Sequence, residues 1–323
     1  MTIEFGLSTL SRGTLVSRAA YLQVAQAAER AGFAFISVND HLIVPGHLGS
    51  AYPYTQGGAW AAAEHGHCFD QLTTLAFVAG CTSRIKLLTS VMVVPHRPPI
   101  ATAKILSTID VLSGGRLILG VGAGWMKEEF ALLGAPFAER GTVTDEYLEA
   151  CKALWTQQRP TFAGKHVTFD DVIFEPKPIQ KPHPPIWVGG ESPAALRRAV
   201  KLGDAWYPGN NSQTEPLDTP ARLAAAIGSL RRLAQAAGRD PASLAVNLIV
   251  QNPFEWTSHK TADGSARRLF TGASTDMTAD AVALDAVGVR HVAVRLGGAT
   301  LRESLEHIDR FGREVIAQEG QVS

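Results

Sequence analysis

Ile186-Trp187-Val188-Gly189-Gly190-Glu191-Ser192-Pro193-Ala194-Ala195-Leu196-Arg197-Arg198 contains, in one stretch, the unit from which the whole chain is built. The apolar run Ile186 to Gly189 does not alternate with polar residues, so it suits a strand covered on both faces, as parallel strands under helices are. Two glycines then end the run. Ser192 is a candidate N-cap and Pro193 fits a first helical turn, where its missing N–H has no partner to lose. A buried strand thus passes through a tight turn into a helix.

The unit recurs. Further apolar runs are Ile3 to Ser8, Phe33 to Asn39, Ile85 to Val91, Leu117 to Gly122, Ala205 to Pro208, Leu244 to Val250 and His291 to Leu296, which makes eight with the first. After them the period changes to that of a helix: Leu223, Ile227, Leu230, Leu233 and Ala237 lie on one stripe, as do Leu301, Leu305, Ile308, Phe311 and Val315. Comparable helices are predicted over 18–31, 69–82, 99–112, 142–157, 193–202 and 278–287. Gly32, Gly203 and Gly288 stand at predicted helix ends, where a left-handed residue is wanted. Eight β-α units joined by right-handed crossovers define an α/β fold, a (β/α)8 TIM-like barrel with loop insertions. An open doubly wound sheet is the alternative, weakened because no G-x-G-x-x-G turn follows the first run. The excess over about 250 residues falls in insertions near 42–68, 158–185 and 252–275 of one domain spanning 1–323. The middle insertion reads as a hairpin excursion, with β-like pieces at Thr161 to Phe162 and His166 to Phe174.

Composition narrows the function. Thirty Lys+Arg balance thirty Asp+Glu for a net charge of +0, which argues against a nucleic-acid or membrane-surface partner. At 46% hydrophobic and 19% charged, the chain can bury a large core. Cys68, Cys81 and Cys151 are odd in number and form no C-x-x-C pair, so a disulfide framework is not expected and a reducing compartment is. With no cationic leader before an apolar stretch and no run of about 18 apolar residues, the expectation is a cytoplasmic protein. Glu64, His65, His67 and Cys68 resemble metal ligands, but no second cluster of comparable spacing follows, and no metal is expected.

In a barrel, chemistry belongs at the C-terminal strand ends. Strand two ends in Asn39-Asp40-His41, strand three in Ser90-Val91, strand four in Gly120-Val121-Gly122-Ala123-Gly124-Trp125, and strand five in Gly189-Gly190-Glu191-Ser192. The last could cradle a phosphate, with two glycines, a cap and a helix dipole facing an anion, or could be a well-capped turn and nothing more. His41 is a candidate acid/base or oxyanion-stabilising group that Asp40 could orient, the alternative being an ordinary loop histidine. Trp125 could border a flat cofactor.

Five segments in order, Asn39-Asp40-His41, Thr89-Ser90-Val91 to Pro99, Asp110-x-Leu-Ser-Gly-Gly-Arg116, Gly122-x-Gly-Trp-x-Lys-Glu-Glu-Phe130 and Pro185-Ile-Trp-Val-Gly-Gly-x-Ser-Pro-Ala194, resemble the bacterial luciferase-like monooxygenase superfamily of flavin- and deazaflavin-dependent oxidoreductases. The fourth and fifth are most similar to its coenzyme F-420-dependent branch. The resemblance implies a TIM-like barrel with a ring cofactor, F-420 or FMN, across its mouth. It implies a cis peptide at Ser90-Val91 supporting the ring, with Gly122 and Trp125 beside it and the phosphate on Gly189, Gly190, Glu191 and Ser192. His41 would stand near the reactive ring edge as the catalytic residue, and Asp40 would orient or contact the cofactor. Insertions 42–68 and 252–275 would form a lid.

Two departures qualify the resemblance. Trp125 stands where glucose-6-phosphate-type deazaflavin dehydrogenases carry an acid, leaving Glu128 and Glu129 as the nearest carboxylates. The arginine that FMN-type members use near that exit has no counterpart before Arg140. The function implied is hydride transfer between reduced deazaflavin and a small organic substrate. Alternatives are an FMN-dependent two-component monooxygenase with a separate flavin reductase, a non-catalytic flavin-binding protein, and a barrel enzyme for a phosphorylated sugar without a ring cofactor. A homodimer is also implied.

Overall fold

A computed structural model describes residues 3–8, 16–60, 66–251, 255–261 and 263–319. Eight parallel strands form the barrel: β1 (Glu4–Ser8), β2 (Phe35–Val38), β3 (Lys86–Thr89), β4 (Leu117–Gly122), β5 (Ile186–Gly189), β6 (Ala205–Tyr207), β7 (Ala245–Val250) and β8 (Val289–Val294). Each pairs with its neighbours in sequence, and β8 pairs with β1, so the circuit closes. Closure leaves no edge strand to protect.

One long helix follows each strand: α1 (Arg18–Arg30), α2 (Gln71–Cys81), α3 (Pro99–Ser113), α4 (Arg140–Thr156), α5 (Pro193–Leu202), α6 (Pro220–Ala236), α7 (Ser274–Val287) and α8 (Leu301–Phe311). Their starts are chemically marked. Ser17, Asp70, Ser192, Thr219 and Thr300 each accept a hydrogen bond from a backbone N–H of the first turn.

Because strand side chains alternate between faces, two cores arise. Leu87, Leu117, Leu119, Ile186 and Val188 pack outward under the helices. Phe35, Leu88, Ile118, Trp187, Tyr207 and Ala293 fill the barrel interior. Lower in the barrel, His291 Nδ1 meets Asn247 Oδ1 at 2.9 Å.

The decisive irregularity lies after β3. Its chain steps aside at Ser90-Val91, joined by a cis peptide bond as the resemblance implies, and resumes as Met92–Val93 alongside Val121 and Gly122 of β4. Gly120 permits this. The Thr89 hydroxyl donates to the Gly120 carbonyl at 2.7 Å, and a Cβ on Gly120 would stand 2.0 Å from the Thr89 carbonyl oxygen.

The structure differs from the sequence expectations in three places. Gly32 and Gly288 do adopt positive φ (+88° and +97°), but Gly203 has φ −91°; it is needed because a Cβ there would meet Val188 at 2.9 Å. The strand-four exit runs into a short helix, Lys127–Leu132, that the periodicity does not disclose. The hairpin excursion pairs only Phe162–Ala163 with Thr168–Phe169. Glu64 and His65 lie outside the described residues.

Glycine substitutions should report on the close approach. Gly120→Ala should destabilise the fold by about 1–3 kcal/mol, as overpacking against fixed backbone does. Gly80→Ala should instead stabilise slightly, because a methyl in that exposed α2 position meets nothing within 4 Å and alanine favours a helix. Urea denaturation midpoints check both, and a neutral Gly120→Ala would show that the β3–β4 approach is not required.

Candidate active site

A cavity of about 410 Å³ opens at the C-terminal ends of the strands. His41, Asp40, Ser90, Val91, Gly122, Trp125, Gly189, Gly190, Glu191 and Ser192, distant in sequence, all line it. The barrel brings them together because each lies at or just beyond a strand end.

His41 is buried, 7% exposed, and its partner is not the adjacent carboxylate. Nδ1 lies 2.8 Å from Glu129 Oε2, while Glu129 Oε1 accepts the N–H groups of Leu42 at 2.8 Å and Ile43 at 3.3 Å. Burial works to raise the Glu129 carboxyl, but the His41 hydrogen bond and charge, His96 and the Leu42 N–H outweigh it and hold it below the ordinary value. An ionised carboxylate only accepts, so His41 Nδ1 carries the hydrogen and Nε2 is left for the cavity. Neighbouring Glu128 Oε1 accepts from Gly49 and Ser50 at 2.9 and 3.0 Å. The short helix thus fixes the histidine and ties down the first insertion.

Asp40 has a different task. Arg97 grips it with two 2.8 Å hydrogen bonds, and Val93 N–H donates to it at 2.9 Å. Arg97 also reaches Asp70, the cap of α2, at 3.0 Å. Asp40 therefore locks the end of β2 to the chain after the cis bond. With both oxygens occupied, it lines the cavity as support.

The floor is flat for a steric reason. Ser90 Oγ lies 3.1 Å from Tyr207 Oη below it. A Cβ on Gly122 or Gly189 would stand 2.7 or 3.0 Å from the Val91 methyls. Gly190 has φ +101°, and Ser192 Oγ accepts the Ala195 N–H at 3.2 Å, capping α5. Glu191 points the other way: its carboxyl accepts from Gly209 N–H at 2.6 Å and from Tyr54 Oη at 3.2 Å. Burial raises the Glu191 carboxyl against the lowering effect of those two donors.

Several contributors escape sequence reading. Arg140, sixteen positions beyond Gly124, lines the cavity and donates Nε to the Gly124 carbonyl at 3.2 Å. Arg140 thus stands at the strand-four exit in space though not in sequence. His96 also lines the cavity, is 8% exposed and has no hydrogen-bond partner on either ring nitrogen among the described residues. Trp125 packs edge-on against Tyr52 (5.1 Å between centroids) and Trp60 (5.9 Å) in an aromatic wall. Tyr52 and Tyr54 from insertion 42–68 line the cavity, whereas no described residue of 252–275 does. Phe270 of that segment packs edge-on to Phe5 at 5.8 Å. His67 and Cys68 form no metal cluster among the described residues; the Cys68 thiol donates to the His41 carbonyl at 3.2 Å.

Stability should follow the Glu129 charge. Its lowered folded-state pKa stabilises the protein fully above the ordinary glutamate value of 4.5 and loses that contribution as pH falls through the lowered value. Glu129→Gln should therefore melt below wild type at pH 7, and the gap should shrink as pH drops beneath 4.5. Melting curves at several pH values test this, and a pH-independent gap would assign the loss to packing alone.

The comparisons agree with this architecture. The family model for luciferase-like monooxygenase matches residues 3–254. An uncharacterized protein of Mycobacterium tuberculosis (strain ATCC 25618 / H37Rv) is 34% identical over 235 residues, covering 72% of this chain and 78% of that protein. An FMNH(2)-dependent dimethylsulfone monooxygenase of Pseudomonas putida is 34% identical over 196 residues, 60% of this chain and 49% of that protein. The structure of a coenzyme F420-dependent tetrahydromethanopterin reductase from Methanopyrus kandleri superposes with a TM-score of 0.73 at 18% identity, covering 98% of this chain and 99% of that one. At that identity the likeness shows the fold, while the family model spans most of the chain. The closed barrel, the interrupted third strand and that match together make this chain a member of the luciferase-like monooxygenase family.

Proposed function

We propose that the protein is an oxidoreductase that binds coenzyme F-420 at the barrel mouth and uses His41 for proton control during hydride transfer with a small organic substrate. The observation that carries this is the buried His41–Glu129 pair standing in the same cavity as the Ser90-Val91 floor. Glu129 belongs to the Gly124-Trp125-x-Lys127-Glu128-Glu129-Phe130 segment, whose likeness to the F-420 branch rests on sequence alone.

The residues present fit such a group. Gly122 and Gly189 leave backbone flush around Val91, as a flat ring requires. His96 offers buried ring nitrogens without hydrogen-bond partners among the described residues, and burial lowers its pKa. Gly190, Ser192 and the start of α5 offer N–H groups and a favourable helix dipole to a phosphate, with Arg140 at the same cavity. When bound, a deazaflavin supplies hydride chemistry and the protein supplies position, polarity and exclusion of water. His41 Nε2 holds or delivers a proton at the substrate atom whose charge changes, with Glu129 fixing the ring and its tautomer. Asp40, held by Arg97, keeps the floor in register with His41.

A second reading, FMN-dependent monooxygenation with a separate flavin reductase, is favoured by the likeness to the dimethylsulfone monooxygenase and by the position of Arg140. A homodimer would cover apolar side chains exposed on α3, among them Ile105 and Leu112. Among the described residues no helix is long and apolar enough to cross a membrane.

The deciding experiment is a side-by-side titration of apoprotein with FMN, reduced FMN, and oxidised and reduced F-420. Selective F-420 binding is expected; selective binding of reduced FMN would establish the second reading, and binding of neither would overturn both. Once the cofactor is known, His41→Ala should keep cofactor affinity within a few-fold and lower turnover by about 10²–10⁴. Unchanged turnover would remove His41 from the chemistry.

A further inference from the structure

We propose that Arg295 anchors a carboxylate head group on an otherwise apolar substrate. The placement follows from strand alternation. His291 and Ala293 of β8 face the barrel interior, the first against Trp187 at 4.9 Å between ring centroids. They pair in register with Asn247 and Ile249 of β7. Two residues further on, one past the end of each strand, stand Arg295 and Gln251; Gln251 lines the cavity, and Arg295 stands beside it.

Among the described residues, Arg295 has no ion-pair partner, unlike Arg97 and Arg198. Arg97 has Asp40 and Asp70, and Arg198 has Asp145. Arg140 donates to two carbonyls and lies over the Phe137 ring. Arg295 makes a single contact, 3.4 Å from Nη1 to the Gln251 carbonyl, and no ion pair among the described residues. It is half-buried. Desolvation pulls its pKa below the ordinary value, with Tyr52 the group acting the other way. A guanidinium in such a setting, with most of its donors unused, gains from an incoming anion what folding leaves unprovided.

The surroundings define the rest of the ligand. Tyr52 Oη donates to Gln251 Oε1 at 3.3 Å, and its ring starts an aromatic path through Trp125 and Trp60 to His41, the last step 4.5 Å between centroids. An apolar stem along this wall would carry the reacting atoms from the anchor toward His41. One guanidinium balances one negative charge, and its planar fork matches a carboxylate. A phosphate dianion would carry one charge more than this guanidinium balances. The inference rests on the proposed function for the reaction but not for binding, so the two can fail separately.

Calorimetric titration of the 323-residue chain with hexanoate, hexanol and hexyl phosphate tests it, using wild type, R295Q and R295K, with the cofactor titration run in parallel. Wild type should bind hexanoate about tenfold or more tightly than hexanol, the scale of a hydrogen bond to a charged group. R295Q should lose that preference and R295K should keep part of it. R295Q should also melt at or above the wild-type temperature, because an unpaired charge has been removed. Equal binding of hexanoate and hexanol by wild type, undiminished hexanoate binding by R295Q, or a preference for hexyl phosphate would overturn the proposal. Discrimination for hexanoate in a protein that binds neither cofactor would support the anchor while sinking the oxidoreductase reading.

Discussion

Glu129 is fully buried, and a buried carboxylate must have its oxygens satisfied. Its oxygens take the His41 ring and the first two N–H groups of the insertion after β2. That requirement fixes the orientation of the imidazole, the exit direction of the loop that walls the cavity, and the seating of the short helix against the strand ends. The electrostatics agree: the imidazole and loop donors hold the carboxyl in its charged form despite burial.

A parallel constraint acts one strand away. Asp40 and Arg97 form a two-pronged ion pair that takes in the Val93 N–H and the cap of α2. Breaking a buried pair of this kind leaves an uncompensated charge, which costs about 3–5 kcal/mol. The chain on both sides of the Ser90-Val91 bond is thereby held, with Gly120 giving the backbone room to approach and Tyr207 bracing Ser90 from below. Polar groups at the mouth therefore do two kinds of work. Asp40, Glu129 and Glu191 are engaged with the protein, whereas among the described residues the His96 nitrogens have no hydrogen-bond partner and Arg295 has no ion pair.

The barrel itself was legible because its signals are local. Continuous apolar runs, helical stripes and caps such as Ser192-Pro193 each report on a few neighbouring residues, and eight repeats leave few topologies. The strand ends could be read for the same reason, since a barrel directs attention to Asp40-His41, Ser90-Val91, Gly122 and Gly189 to Ser192. Pairing across the mouth was not local. Nothing near His41 in sequence points to Glu129, 88 positions away, and adjacency to Asp40 suggests the wrong partner. Arg140 looked too late in the chain to serve the strand-four exit until α4 turned its first residue back over Gly124.

The sequence by itself determined the architecture, the family likeness and the places where chemistry could gather, because periodicity, capping and composition act through near neighbours. Only the tertiary structure decided which carboxylate orients His41, that Arg97 grips Asp40, that Gly203 serves close packing rather than a left-handed turn, and that Arg295 has no ion-pair partner among the described residues. Those outcomes depend on which groups meet when eight strands close, and burial sets a strong energetic demand on every charge found there.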